Sequence, residues 1–135
     1  MPLPDDLLNP IEGPNPSGSN LRYDPVYDKI KEARREEAQP PPGMTEQDRK
    51  VSDNVQVIKL TTDLLTKKTK DLQLVAWLTE ALLKQKGFGG LREGLGVCLG
   101  LTDKFWDTLY PEIEDGDAES RGAPLGFVGT KLVVP

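Results

Sequence analysis

A chain of 135 residues, 36% hydrophobic and 29% charged, is long enough for one folded domain whose core needs no covalent staples. The net charge of -5 leaves no positive field to gather nucleic acid or anionic lipid, and the single cysteine, Cys98, excludes an intrachain disulfide. Histidine is absent, which removes Ser-His and Cys-His nucleophile pairs, imidazole acid-base chemistry and the usual zinc ligand sets, and leaves any catalysis to carboxylates, Lys, Tyr or a bound metal; no catalytic residue, cofactor or metal ligand is assigned.

Residues 1–23 carry proline or glycine at 10, 13, 14, 16 and 18 and sustain no period, so they read as an extended lead-in to a helical part over 24–135, both within a single domain over 1–135. Leu7, Leu8 and Ile11 are its candidate anchors. The first residues lack the basic and apolar regions of a signal peptide, and no run approaches the roughly 18 apolar residues of a membrane span, so no direct membrane insertion is expected and the chain reads as cytoplasmic.

Asp24-Pro25 announces the first helix: Asp caps free amides, and proline at the first helical position gives up an N–H that has no partner there. Val26, Tyr27, Ile30 and Ala33 share one face, with charged residues on the other, and Pro40-Pro41-Pro42-Gly43 ends the segment. Thr45-Glu46-Gln47-Asp48 has capping-box spacing and predicts a second helix over about 46 to 67, with Val51, Val55, Ile58, Thr62 and Leu65 on its apolar face.

The stretch Lys70 to Pro111 reads as a helical hairpin that organises the fold. Thr69 is the predicted cap of the third helix, with Asp71 in its first turn. Leu72, Val75, Ala76, Thr79, Leu82 and Leu83 form one face, widened by Leu74, Trp77, Leu78 and Ala81, so this helix is expected to be the most buried. Gly87 is the predicted C-cap, and Phe88-Gly89-Gly90 the crossing. The fourth helix shows the strictest pattern in the chain: Phe88, Leu91, Leu95, Cys98, Leu99, Thr102, Trp106 and Leu109, closed by Pro111. Gly94, Gly96 and Gly100 each cost it about 0.8–1 kcal/mol relative to Ala, which close approach of another helix would offset. Beyond an acidic turn over 112–117, the chain has room for a short last helix over about 118 to 128, opposed by Gly122, Pro124, Gly126 and Gly129.

Several candidate sites have plainer structural readings. Gly94-Leu95-Gly96 resembles a loosened dinucleotide fingerprint, but it lies inside a helix with no preceding strand. Glu112, Glu114, Asp115, Asp117 and Glu119 match no calcium-loop spacing and read as a solvated turn. Lys67 and Lys68 complement a helix C-terminus. Lys70, Asp71, Trp106, Asp107 and Tyr110 read as caps and amphipathic anchors. Arg121 is expected to form a structural salt bridge to Asp107 or to the acidic run.

The order and spacing of these pieces carry a family resemblance. Leu8…Pro10-Ile11, Pro16-Ser17-Gly18, Leu21-Arg22-Tyr23-Asp24…Tyr27, Lys70-Asp71-Leu72, Gly87-Phe88-Gly89-Gly90-Leu91…Gly94-Leu95 and Phe105-Trp106-Asp107…Leu109-Tyr110-Pro111 together resemble the ImpA N-terminal domain of TssA-type proteins of the bacterial type VI secretion system. Two positions depart from that pattern. Asp53-Asn54 stands where the family carries Asp-Trp, and Phe127-Val128 follows Arg121 where it carries Trp-Leu.

The resemblance implies an all-α bundle of four or five helices around the central antiparallel hairpin. It also implies a cytoplasmic, non-enzymatic assembly factor that helps recruit the baseplate and coordinates polymerisation of sheath and tube, with sheath, baseplate and tube components as partners. Tyr23, Asp24, Lys70, Asp71, Leu72, Gly87, Trp106, Asp107, Tyr110, Pro111 and Arg121 are its motif residues, with structural roles. Family members carry C-terminal domains that drive homo-oligomeric rings, so a sequence ending at Pro135 reads as an isolated first domain or a short relative. Relatives that share this domain instead cap or stabilise the sheath, which is the nearest alternative. The first helix and the 112–120 turn are the expected partner surfaces. Two rivals stand beside this reading: a carboxylate- or metal-dependent hydrolase using Asp107, Glu112, Glu114 and Asp117, and a dimerisation module packing through the glycine-bearing face of the fourth helix.

Overall fold

The structure, a computed structural model, describes residues 3, 4, 6–111, 121, 122 and 124. They form an all-α fold with helices α1 (Pro25–Arg34), α2 (Asn54–Lys67), α3 (Leu72–Lys86) and α4 (Phe88–Phe105), plus a 3-10 turn at Glu46–Asp48. Among the described residues strand-like pairing is limited to two isolated bridges, Gly18 with Thr69 and Asp71 with Tyr110. α3 packs against both α2 and α4, and α1 packs on α2. As the sequence predicts, α3 is the most buried helix: Leu72, Leu74, Val75, Ala76, Trp77, Leu78, Thr79, Ala81 and Leu82 are all shielded from solvent.

Asp24 caps α1 by accepting from the Val26 amide at 2.9 Å, and Pro25 opens the helix. α1 ends at Arg34, well before the prolines, because the chain turns extended at Arg35. The predicted second helix over 46 to 67 is two pieces. The Thr45–Asp48 capping box is present, but it closes only the 3-10 turn. Residues 49–53 then run extended along the end of α1, with the Asp53 amide donating to Ala33 O at 2.7 Å, and Asp53 caps α2. That bond to α1, together with the Glu37 amide donating to Lys50 O at 2.9 Å, replaces the helix that local pattern favours.

Asp71, rather than Thr69, caps α3: its Oδ1 accepts from the Gln73 amide at 2.9 Å. Thr69 instead pairs with the lead-in at Gly18 and leaves its hydroxyl buried without a partner among the described residues. Gly87 alone separates α3 from α4. It holds φ +69°, a conformation that disfavours any residue with a Cβ, so the expected crossing at 88–90 already belongs to α4.

The apolar pattern read on α4 is its buried face only in part: Leu91 and, past the helix, Leu109 are buried, but Phe88, Leu95, Leu99 and Trp106 are not. The core side comprises Gly90, Leu91, Gly94, Val97, Leu101 and Phe105, while Phe88 is 84% exposed, Leu99 72%, Leu95 40% and Trp106 37%. Glycine explains the rotation. A Cβ at Gly90 would stand 2.0 Å from the Leu82 carbonyl oxygen, and one at Gly94 would stand 2.5 Å from Thr79 Oγ1, so α4 comes closest to α3 at two glycines, with Leu91, Val97, Leu101 and Phe105 completing the buried face. At Gly100 a Cβ would crowd the Leu8 side chain at 2.6 Å, whereas Gly96 has nothing near it. α4 ends at Phe105, six residues before Pro111, and a turn carries the chain to Tyr110. Of the predicted last helix only Arg121, Gly122 and Pro124 are described, all in helical backbone; its remainder lies outside the described residues.

Candidate functional site

Three segments distant in sequence meet at the start of α3: the lead-in, the α2–α3 link and the exit of α4. The Ser19 amide donates to Lys68 O at 3.1 Å, the Lys70 amide to Ser17 O at 2.8 Å, and the Tyr110 amide to Lys70 O at 2.9 Å. Leu72 is buried, and its amide returns to Tyr110 O at 2.8 Å. The Ser17 and Thr108 hydroxyls are 2.6 Å apart, which ties the first and last of these segments directly.

Lys70 lies at the centre of the junction and is fully buried. Its ammonium donates to the Leu7 carbonyl at 2.6 Å and to the Leu65 carbonyl at 2.5 Å, and it sits 5.3 Å from the centroid of the Phe105 ring. Lead-in, α2 and α4 are thus held by one cation. Burial brings its pKa down to about 8 from the ordinary 10.5, against a smaller upward pull from Asp6.

Asp71 uses both carboxylate oxygens within the fold. Oδ1 caps α3, and Oδ2 accepts from the Tyr27 hydroxyl at 2.5 Å. Burial raises the Asp71 pKa, opposed by these hydrogen bonds, and burial together with the Asp71 carboxylate holds the Tyr27 phenol far above its usual range. The Tyr27 ring meets Trp77 edge to face at 5.8 Å. Tyr110 donates its hydroxyl to Gly18 O at 3.0 Å and precedes a cis bond to Pro111.

Arg121 takes carbonyl partners rather than the Asp107 salt bridge expected for it, and the acidic run, its other expected partner, lies outside the described residues. Arg121 is buried, and its guanidinium donates to three carbonyls at the α4 exit: Trp106, Leu109 at 2.8 Å and Pro111 at 2.7 Å. It also stacks on Trp106, with 4.5 Å between guanidinium carbon and ring centroid. A planar fork of donors matches three carbonyls of the turn that follows α4, so Arg121 fastens that turn and makes no salt bridge among the described residues. Burial lowers its pKa, and Asp107 exerts the opposing pull.

Beside the junction opens a cleft of about 560 Å³ between the starts of α1 and α3. Tyr27, Asp71, Trp77 and Tyr110 lie along it with Pro111, and Tyr23 stands at its rim, 88% exposed, with Arg22 stacked on its ring at 5.5 Å. Asp24 contributes as the α1 cap. Gly87 is remote, at the α3–α4 turn, and Asp107 is exposed. Glu112, Glu114 and Asp117 of the rival hydrolase lie outside the described residues, as does the 112–120 turn. No metal-holding group of acidic or thiol side chains occurs among the described residues.

Chemically, the arrangement is a lock with a cleft beside it. The Lys70 ammonium, the Asp71 carboxylate and the Arg121 guanidinium are engaged by backbone or by Tyr27. Sequence reasoning missed Tyr27 as the partner of Asp71, and Ser17 with Thr108 as the tie between distant segments. The placement of Tyr27 three residues after the Asp24 cap does mark it as inward-facing, but only its tertiary neighbour supplies the acceptor.

Comparison with known proteins gives two findings. The family described as ImpA, N-terminal, type VI secretion system matches residues 8–129. Among solved structures, the N-terminal domain of the TssA component of the type VI secretion system from Burkholderia cenocepacia, which includes the conserved ImpA_N region, superposes with a TM-score of 0.80 at 36% identity. That match covers 95% of this chain and 47% of the other, so this chain spans about half the length of its structural relative. No curated protein matches.

Proposed function

The chain belongs to the ImpA N-terminal family of the type VI secretion system, and on that premise we propose that it is a cytoplasmic, non-enzymatic interaction module of a TssA-like protein. In that role it helps recruit the baseplate and coordinate polymerisation of sheath and tube, within a homo-oligomeric whole protein.

One observation carries the reading: the buried polar groups of the junction are spent on holding segments together, while the adjoining cleft presents Tyr23 and Arg22 outward above a buried floor of Tyr27, Trp77 and Tyr110. Exposed tyrosine and arginine beside a concavity are the side chains on which protein interfaces concentrate binding energy. The α1 face next to the cleft adds Asp28 and Lys31 at its rim. No helix among the described residues is long and apolar enough to cross a membrane.

The test is affinity capture of the chain from cells with an assembled apparatus, comparing wild type with a Tyr23→Ala, Lys31→Glu double variant. Recovery of sheath, baseplate or tube components by wild type and their loss from the variant is the expected result. Undiminished recovery by a folded variant would remove the cleft from the interface, and recovery of none by wild type would remove the reading.

A further inference from the structure

α4 presents an open face whose layout specifies its own complement. Phe88, Arg92, Leu95, Gly96, Leu99 and Asp103 follow one another at helical spacing along the exposed side, and Trp106, the residue just past the helix, continues it with Arg121 on one face of its ring and 37% of its surface open. Two glycines on this side, Gly89 and Gly96, have nothing within 4 Å of where a Cβ would stand, so intrachain packing accounts for neither. Arg92 and Asp103, three turns apart on the same face, have no ion-pair partner among the described residues.

We propose that this face is a two-fold interface on which a second copy of the chain docks with its α4 antiparallel to the first. In such a pair each residue meets the one equally far from the centre on the other side, and residue i touching j requires j touching i. Centring the axis at the Val97–Cys98 peptide brings Leu99 of each copy over Gly96 of the other. The same register brings Trp106 over Gly89, and Arg92 beside Asp103. Two exposed apolar side chains, two open glycines and two unpaired opposite charges are thus matched by a single register.

The glycines allow close approach of the helix axes, the apolar knobs fill the space above them, and the charge pairs fix antiparallel over parallel orientation. A parallel pairing would instead align Arg92 with Arg92 and Asp103 with Asp103. One helix pair buries less than the ~1,200 Å² of a standard interface, so the free chain associates weakly, and the contact gains strength where other domains hold copies together. This goes beyond the reading of the cleft, which lies between the starts of α1 and α3, is lined by no α4 residue and can fail independently.

Sedimentation equilibrium of the chain up to about 1 mM tests it, since that range registers millimolar dissociation constants. Wild type forms dimers, and Leu99→Glu, at an exposed position, abolishes them while its thermal melt stays unchanged. Arg92→Asp and Asp103→Arg each weaken self-association about tenfold or more. Mixed one to one they pair with each other, because one chain then carries aspartate at both positions and the other arginine at both, so each of the two contacts again joins opposite charges. Three results overturn the proposal: dimers insensitive to Leu99→Glu, variants that do not recover on mixing, or a wild-type chain that stays monomeric. The last holds whether the face is bare, covered by the chain's own residues 125–135 or bound to another protein of the apparatus.

Discussion

The Tyr27 hydroxyl donates to Asp71 Oδ2 across 2.5 Å, and through that bond α1 is fixed to the first turn of α3. Both partners are buried, and the same carboxylate caps α3 with its other oxygen. The contact therefore couples a helix cap to the placement of a neighbouring helix.

Tyr27→Phe removes the donor without changing the ring that packs on Trp77. It leaves a buried carboxylate oxygen unpaired, and the expected cost is about 1–3 kcal/mol, read as a lower denaturant midpoint at unchanged slope. Asp71→Ala should cost more, since it also loses the cap and strands the phenol, whereas Asp71→Asn, which keeps an acceptor for the Gln73 amide, should fall between the two. Equal midpoints for Tyr27→Phe and wild type would show that the bond is not formed in solution.

Lys70 gives a pH signature. Its folded pKa, near 8, lies below the ordinary 10.5, so between those values the unfolded chain holds the proton that the folded chain has released. Stability from this group is therefore full above pH 10.5, rises with pH between 8 and 10.5, and is lost as pH falls through 8. Denaturant midpoints of wild type minus Lys70→Met should climb over that window, because other titrating groups cancel in the difference. A flat difference would mean that the ammonium is hydrated.

At the α4 exit, Arg121→Lys keeps the charge and loses the fork. The three carbonyls it served cannot all be reached by one ammonium, and a loss of about 1.5–3 kcal/mol is expected. Trp106 reports the event locally: its fluorescence should change with the loss of the guanidinium stacked on it. An unchanged melting temperature would place Arg121 outside the folded unit.

The glycines of α4 separate cleanly. Gly90→Ala sets a Cβ against the Leu82 carbonyl and should cost about 1–3 kcal/mol or more, since backbone cannot yield as a side chain can. Gly96→Ala, in open space, should stabilise the monomer by about 0.8–1 kcal/mol through helix propensity. Thermal melts at low concentration distinguish the two directions, and a matching sign would contradict the helix packing described.

The all-α class, the α1 start at Asp24-Pro25, the burial of α3 and the hairpin at Gly87 were legible in the sequence. Each rests on local rules: apolar periodicity, a carboxylate before a helix, a glycine where φ must be positive. Three things were decided only by tertiary structure. Residues 49–53 give up helix because Ala33 of α1 and Glu37 beyond it offer backbone partners, and Asp71 takes the cap from Thr69 because the lead-in claims the backbone at 68–70. The buried face of α4, with Leu91, Val97, Leu101 and Phe105, lies beside the stripe through Leu95 and Leu99, because the closest contact with α3 runs through Gly90 and Gly94, where no side chain holds the helices apart. Periodicity measures what a helix can bury; which side it does bury depends on how closely its neighbour can approach.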